Sequence, residues 1–252
     1  MLELEGDIYL IGDIHGKKFQ LIEKIKNLNI ADAHLILLGD IGVGFNDNNY
    51  AFDYGWLNDE LKKLNCKAYL LRGNHDNPSH WKDDLIDEEY ENIIHLKDHQ
   101  LLLLNDDLFM CIGGGTSIDR CFRDIERSYW SDENISLPKY NELEKDIIKN
   151  KGLHGILSHC GPLPPKCSNN RLDYWYLQDA DLRNDLQEEQ LIINKIFDIY
   201  QPKFWFFGHY HVDESFDFKD CKCICLNELS ITYYEQYCPD EKILCFNCYK
   251  AF

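Results

Sequence analysis

Five short stretches place metal-ligating or proton-handling side chains one or two residues apart. They are "GDIHG" (Gly12–Gly16), "GDIGVG" (Gly39–Gly44), "GNHD" (Gly73–Asp76), "SHCGP" (Ser158–Pro162) and "GHYH" (Gly208–His211). Together they offer Asp13, His15, Asp40, Asn74, His75, His159, His209 and His211. Carboxylate, amide and imidazole are oxygen and nitrogen donors. Such mixtures suit borderline-hard divalent cations such as Mn²⁺, Fe²⁺ and Zn²⁺, and the lack of thiolate in the set disfavours a purely structural zinc. Asp-x-His and His-x-His can turn both side chains toward one ion across a tight loop. A lone histidine ending a strand is ordinarily a cap or a core residue. Five of them, with two aspartates and an asparagine, are not explained that way.

The elements that must hold these residues are apolar runs. Ile8–Ile11 precedes the first cluster, "HLILL" the second and "KAYLL" the third. Between them, Phe19, Leu21, Ile22, Ile25 and Leu28 recur at helical spacing, and "YAFDYGWLNDELKKLN" reads as a second helix. Strand, helix, strand, helix, strand is an α/β pattern, and in open α/β sheets ligands lie at the carboxyl ends of the strands. Further on, "QLLLLNDDLFMCIGGG" reads as two strands about an Asn-Asp-Asp turn. A polar, aromatic segment follows and becomes helical, with Ser136, two residues before Pro138, as the expected start. "HGILSHCGPLPP" is a strand and a proline-rich loop. Asp179–Tyr200 is expected as one acidic helix, with Leu182, Leu186, Ile192, Ile193, Ile196 and Phe197 on its apolar face. "KFWFFGHYH" is a strand, and residues 214–252 are expected as an antiparallel set. No repeat or low-complexity linker interrupts the chain, so a single domain over 1–252 is expected.

The five stretches resemble, in order and over nearly the whole chain, the motif series of the calcineurin-like metallophosphoesterases: Gly-Asp-x-His, Gly-Asp, Gly-Asn-His-Asp/Glu, a strand-end His, and Gly-His-x-His. The resemblance implies a four-layer α/β/β/α sandwich of two mixed sheets flanked by helices. It also implies two divalent ions (Mn²⁺, Fe²⁺/Fe³⁺ or Zn²⁺). Asp13, His15 and His211 would hold the first, Asn74, His159 and His209 the second, and Asp40 would bridge them. The implied reaction is phosphomonoester hydrolysis by direct attack of a metal-bridging hydroxide. The phosphorylated substrate would be a protein or a small molecule. A phosphodiesterase of cyclic or short nucleotides, or a catalytically silent metal scaffold, is the alternative. His75 would meet the leaving oxygen or the phosphate as a protonated imidazole. Asp76 would orient an imidazole or cap the turn.

"LLRGNH" is nearest the phosphoprotein-phosphatase branch, but that branch continues its second motif as Asp-Arg-Gly, and here Asp40 is followed by Ile-Gly-Val-Gly. The Asp that supports the catalytic His and the Arg that grips phosphate are both missing there. A phosphate dianion calls for metals or a planar cationic fork, so another arginine is expected to stand in. Arg72 is the catalytic-site candidate, Arg120 and Arg123 are substrate-binding candidates, and Arg127 and Arg171 rank lower. Substrate-facing insertions are expected around residues 116–150 and 163–181. They carry Ser117 and Asp119, and the aromatics Tyr129, Trp130, Tyr174, Trp175 and Tyr176, which would wall a cleft or pack the loops.

Composition narrows the partners. The 252 residues carry a formal charge of −18, which disfavours long nucleic acid. No apolar run approaches a membrane span, and the N-terminus enters a strand directly, so a cytoplasmic protein without a membrane partner is expected. The 11 cysteines are expected as thiols. Cys221, Cys223 and Cys225 alternate like a strand. With Cys238, Cys245 and Cys248 they leave a zinc knuckle as the lesser reading. Nothing in the sequence sets an oligomeric state.

Overall fold

The structure, a computed structural model, describes residues 1–46, 54–82, 89–168 and 172–234. The strands are β1 (Leu2–Leu4), β2 (Asp7–Ile11), β3 (Ala33–Leu37), β4 (Lys67–Leu71), β5 (Ile93–Leu96), β6 (Leu101–Leu104), β7 (Asp107–Ile112), β8 (Gly155–Ser158), β9 (Phe204–Phe207), β10 (Glu214–Phe218), β11 (Cys221–Cys225) and β12 (Ile231–Tyr234). The helices are α1 (Lys18–Asn27), α2 (Tyr54–Lys63), α3 (Glu142–Lys151), α4 (Asp173–Gln178) and α5 (Leu182–Tyr200).

The strands form two mixed sheets. One has the order β12-β2-β3-β4-β5, the other β1-β6-β7-β8-β9-β11-β10. Strand alternation explains why both sheets are buried twice over. In β3, Leu35 and Leu37 face the α1/α2 side with Leu21, Ile25, Leu57 and Leu61, whereas Ile36 faces the other sheet. In β9, Phe204 and Phe206 meet Ile36 and Leu10 between the sheets, whereas Trp205 and Phe207 pack under α5 with Ile193 and Ile196. Three apolar layers thus separate helices, sheet, sheet and helices. Fully burying one such side chain contributes roughly 1.5–3 kcal/mol. Among the described residues, no helix is long and apolar enough to cross a membrane.

Three sequence expectations are corrected. The helix after the polar segment starts at Glu142, not near Ser136, because Asn141 caps it: Glu144 N–H donates to the Asn141 side chain and Glu144 answers at the Asn141 N–H. The acidic helix expected from Asp179 starts at Leu182, and Asp173–Gln178 is a separate short helix. The tail is not one antiparallel set: β10 and β11 pair antiparallel, but β11 runs parallel to β9 and β12 crosses to pair with β2. Cys221, Cys223 and Cys225 are buried on the α5 face of β11. The knuckle partners Cys238, Cys245 and Cys248 lie outside the described residues, as does Arg171.

Candidate metal centre

The parallel strands β2, β3 and β4 of one sheet and β7, β8 and β9 of the other direct their carboxyl ends to one edge of the sandwich. The loops leaving those ends carry the five motifs. They are tied by backbone bonds: Ile14 and His15 N–H donate to Asp40 O, and Gly208 N–H donates to His159 O. His15, Asp40, His209 and His211 all have positive φ (43°, 49°, 66° and 51°), a conformation uncommon outside glycine and enriched at functional sites. The motif glycines serve two different ends. Gly39 (φ 95°) supplies a left-handed turn, whereas Gly73 supplies space, since a Cβ there would lie 2.1 Å from Asp40 N.

The eight motif side chains sort into two donor groups and one flanking imidazole. In the first group, His211 Nε2 lies 3.1 Å from Asp13 Oδ2 and 3.0 Å from His15 Nε2, and His15 Nε2 lies 3.7 Å from Asp40 Oδ2. In the second, Asn74 Oδ1 lies 2.9 Å from His159 Nε2 and 3.0 Å from His209 Nδ1, and His159 Nε2 lies 3.1 Å from Asp40 Oδ1. The two oxygens of Asp40 therefore serve different groups. Adjacent ligands around an ion at ~2.1 Å sit about 3.0–3.4 Å apart, a spacing the second group approaches throughout and the first exceeds only at His15, 3.7 Å from Asp40 and 3.9 Å from Asp13. Two of these imidazole nitrogens face one amide oxygen, a convergence that a shared cation satisfies better than hydrogen bonding does. His159 Nδ1–H donates to Leu38 O (2.8 Å), which orients the ring so that Nε2 faces the centre and can serve as an electron-pair donor once its own proton is displaced. The donor chemistry and geometry fit two divalent ions.

The electrostatics agree. Asp13 and Asp40 are buried among four imidazoles. Burial opposes charge on Asp40, but His159, His75 and His15 outweigh it and hold the carboxyl well below its usual range. Burial likewise opposes charge on His159, but Asp40 and Asp13 push that imidazole up to about 9. The carboxylate pair thus draws positive charge to the point where the two groups meet.

The flanking residues are placed as follows. Asp76 is fully buried, and both its oxygens are taken by backbone. Oδ1 accepts from Gly42 and Val43 N–H, and Oδ2 from Ile41 and Gly73 N–H, at 2.7–3.1 Å. Of its two expected uses, orienting an imidazole or capping the turn, the geometry matches the second. Arg72 is turned away from the donors: it pairs with Asp98 (2.8 Å) and donates to Glu133 O (2.9 Å). Arg120 is clasped by Asp179 (2.6 Å) and Asp185 (2.5 Å). Arg127 is exposed, 4.0 Å from Asp124.

Among the described residues, Arg123 is the arginine that reaches the centre. Its Nη2 donates to His75 Nε2 (2.7 Å), its Nη1 donates to Ser117 Oγ (2.9 Å), and it pairs with Asp119 (2.6 Å). Phe45 stacks on His75 at 4.7 Å. The protonated His75 expected from the resemblance is not what this arrangement favours. Burial lowers the imidazole first, Asp40 opposes and Arg123 adds to the lowering, to about 4. Burial of the ring is the chief reason, and the Arg123 guanidinium adds to it against the pull of Asp40 and Asp119. Arg123 also lines a cavity of ≈ 630 Å³ shared with Arg120, Tyr129, Asp179, Asp181 and Asp185. Trp130 is buried, whereas Tyr174 is exposed.

Two buried carboxylates escaped the sequence reading. Glu189 accepts from Thr116 N–H (2.7 Å) and lies within 4.8 Å of donor atoms of Cys160 and His209. A signal existed: Glu189 is seven residues after Leu182 and four before Ile193, on the apolar stripe of α5. Glu133 accepts from Ser117 N–H (2.8 Å). It sits in an irregular segment without periodicity, so no pattern flags it.

Comparisons with known proteins bear on the family and the fold. The profile of the calcineurin-like phosphoesterase family matches residues 6–213. Among solved structures, TT1561 of Thermus thermophilus superposes with a TM-score of 0.53 at 11% identity, covering 90% of this chain and 94% of that one. A putative 5′-nucleotidase from Staphylococcus aureus gives 0.49 at 14% identity, covering 90% of this chain and 50% of the other. A phosphopantetheinyl hydrolase from Mycobacterium tuberculosis gives 0.44 at 12%, covering 88% and 89%. No curated protein matches the sequence.

Proposed function

Because the chain belongs to the calcineurin-like phosphoesterase family, a family of metal-dependent hydrolases, we propose that it hydrolyses phosphomonoesters at a two-metal centre. Asp13, His15 and His211 would hold one ion, Asn74, His159 and His209 the other, and Asp40 would serve both. The observation that carries this reading is Asp40 itself, whose Oδ2 faces one imidazole group and whose Oδ1 faces the other. When bound, two divalent ions supply a Lewis-acid pair that acidifies water and screens phosphoryl charge.

The chain's own residues supply the rest. Asp76 locks the Asp40 loop to the Asn74 loop, so the donors of both groups move together. Arg123 supplies the cation that grips a phosphoryl oxygen, in the role left open after Asp40. His75, accepting from Arg123, aims that guanidinium and shields one side of the centre with Phe45. Arg72 braces residues 132–134 rather than touching substrate. The segments 116–150 and 163–181, joined through the Arg120–Asp179 pair, carry the substrate-facing loops of a single domain. A monoester dianion suits a centre with two ions and one arginine.

The test is direct. Protein loaded with Mn²⁺ releases p-nitrophenol from the monophosphate ester, and metal analysis gives two ions per chain. Turnover of the bis-ester alone refutes the monoesterase assignment. Two bound ions with no turnover of either ester refutes catalysis.

A further inference from the structure

A metal accepts only the oxygen of the Asn74 amide, yet amide oxygen and nitrogen are nearly isosteric. Something must decide which faces the ions. Asn74 Nδ2–H donates to Ser117 Oγ at 2.9 Å. A hydroxyl alone does not decide, because it can accept from the nitrogen or donate to the oxygen with equal ease.

Ser117 is not a free hydroxyl. Arg123 Nη1 donates to the same Oγ at 2.9 Å, and guanidinium has no acceptor, so one lone pair is committed. Ser117 N–H is held by Glu133 Oε1 at 2.8 Å, which brings the hydroxyl beside the same carboxyl. Glu133 Oε2 is buried and has no hydrogen-bonding partner among the described residues, so it is an acceptor left open beside the hydroxyl. Glu133 and Ser117 are each 1% exposed, so water does not compete. Glu133 is itself fixed through its carbonyl, which accepts from Arg72 and from Gly115 N–H at 3.0 Å.

The geometry points to Ser117 and Glu133 as positioning residues that set the Asn74 amide oxygen-inward and thereby create the second metal site. The hydroxyl proton goes to the Glu133 carboxylate. The lone pairs go to Arg123 and Asn74. Only the amide nitrogen can then face Ser117, and Oδ1 is left toward His159 and His209. Arg72 and Asn74, two residues apart in the chain, are thus connected a second time through Glu133 and Ser117.

This inference rests on the two-ion reading. The sharpest variant is Glu133→Gln, which is isosteric. Its one oxygen is taken by Ser117 N–H, so its NH₂ turns toward Oγ and releases the hydroxyl proton toward Asn74. The experiment titrates metal-stripped protein with Mn²⁺ by calorimetry and electron paramagnetic resonance. Glu133→Gln and Ser117→Ala should each weaken one of two ions by about 10–100-fold and leave the other within about threefold. Ser117→Thr, which keeps the hydroxyl, should restore the second ion. In an Asn74→Asp background, where both side-chain oxygens can ligate, Ser117→Ala should change second-ion affinity by less than about threefold. Unchanged affinity in Glu133→Gln and Ser117→Ala overturns the inference. Equal loss with and without the Asn74→Asp substitution also overturns it, since that marks general structural damage. Wild-type protein that binds a single ion overturns the two-ion reading beneath it, a result distinct from both.

Discussion

Asp76→Ala tests whether a buried carboxylate, rather than the sheets, holds the second and third motif loops together. The side chain accepts four backbone N–H groups at 2.7, 2.7, 2.9 and 3.1 Å, three from residues 41–43 and one from Gly73. A hydrogen bond to a charged acceptor contributes about 1.5–3 kcal/mol, and an unsatisfied buried donor costs ~1–3 kcal/mol. Four such groups do not add, because a single water entering the space left by the carboxylate can satisfy two of them. A loss of about 4 kcal/mol is therefore expected, a large share of the ~5–15 kcal/mol that a domain has. For a chain of this size each kcal/mol lowers Tm by roughly 2–4 °C, so metal-free Asp76→Ala should melt about 8–16 °C below wild type. Asp76→Asn keeps one acceptor oxygen and should recover part of the loss. The assay is thermal unfolding by circular dichroism with metal chelated, followed by Mn²⁺ titration at low temperature. The variant should bind both ions more weakly, because Asp40 and Asn74 no longer move as one. A Tm within about 3 °C of wild type for Asp76→Ala would refute the reasoning.

Asp40→Asn should weaken both ions, seen as fewer than two Mn²⁺ per chain; two ions at full occupancy would remove the bridging role. Arg123→Ala should raise KM and lower kcat for the monoester while leaving two ions bound, whereas Arg120→Ala, removing a loop clasp, should act mainly on stability. Arg72→Ala should cost about 2–4 kcal/mol of stability, because Asp98 loses its buried partner, and should lower kcat only through that loss. Burial lowers His34, and burial also lowers His154, against the opposing charge of Asp107. At these two sites the folded protein holds fewer protons than the unfolded chain below the ordinary imidazole value. Their contribution to stability should therefore fall as pH drops through about 6.5, and His154→Gln should remove its share of that fall, read as the difference from wild type in chemical-denaturation curves.

The donors were legible because each ends an apolar run, and strand ends of an α/β sheet share an edge. Asp13, Asp40, Asn74 and His159 needed only that rule and the motif order. The arginines were not legible. Arg72 follows a strand into the motif, yet its guanidinium turns to Glu133, 61 residues later. Arg123 was a substrate-binding candidate on equal terms with Arg120, and only the folded loop separates them by bringing Arg123 to His75. Spacing encodes direction along one element, whereas these contacts depend on how two loops cross. The tail departs from expectation for the same reason: alternation reports a strand but not its partner, so β12 could be told neither its sheet nor its neighbour. Glu189 stood in plain view on an apolar stripe, and Glu133 carried no pattern at all.

The crossing of the tail also fixes when the centre can come into being. His209 N–H donates to Asp13 across 196 residues, and β12, near the end of the described chain, completes the edge of the sheet that β2 begins. Neither sheet is whole until the other end of the chain has arrived, so the contacts with the greatest loop-closure cost are also those that close the site. On a ribosome adding ~5–20 residues per second, His211 follows Asp76 by about 7–27 s. For that interval the emerging chain carries Asp13, Asp40 and Asn74 without the full set of His159, His209 and His211. On the two-ion reading, both donor groups are complete only once the chain has folded end to end.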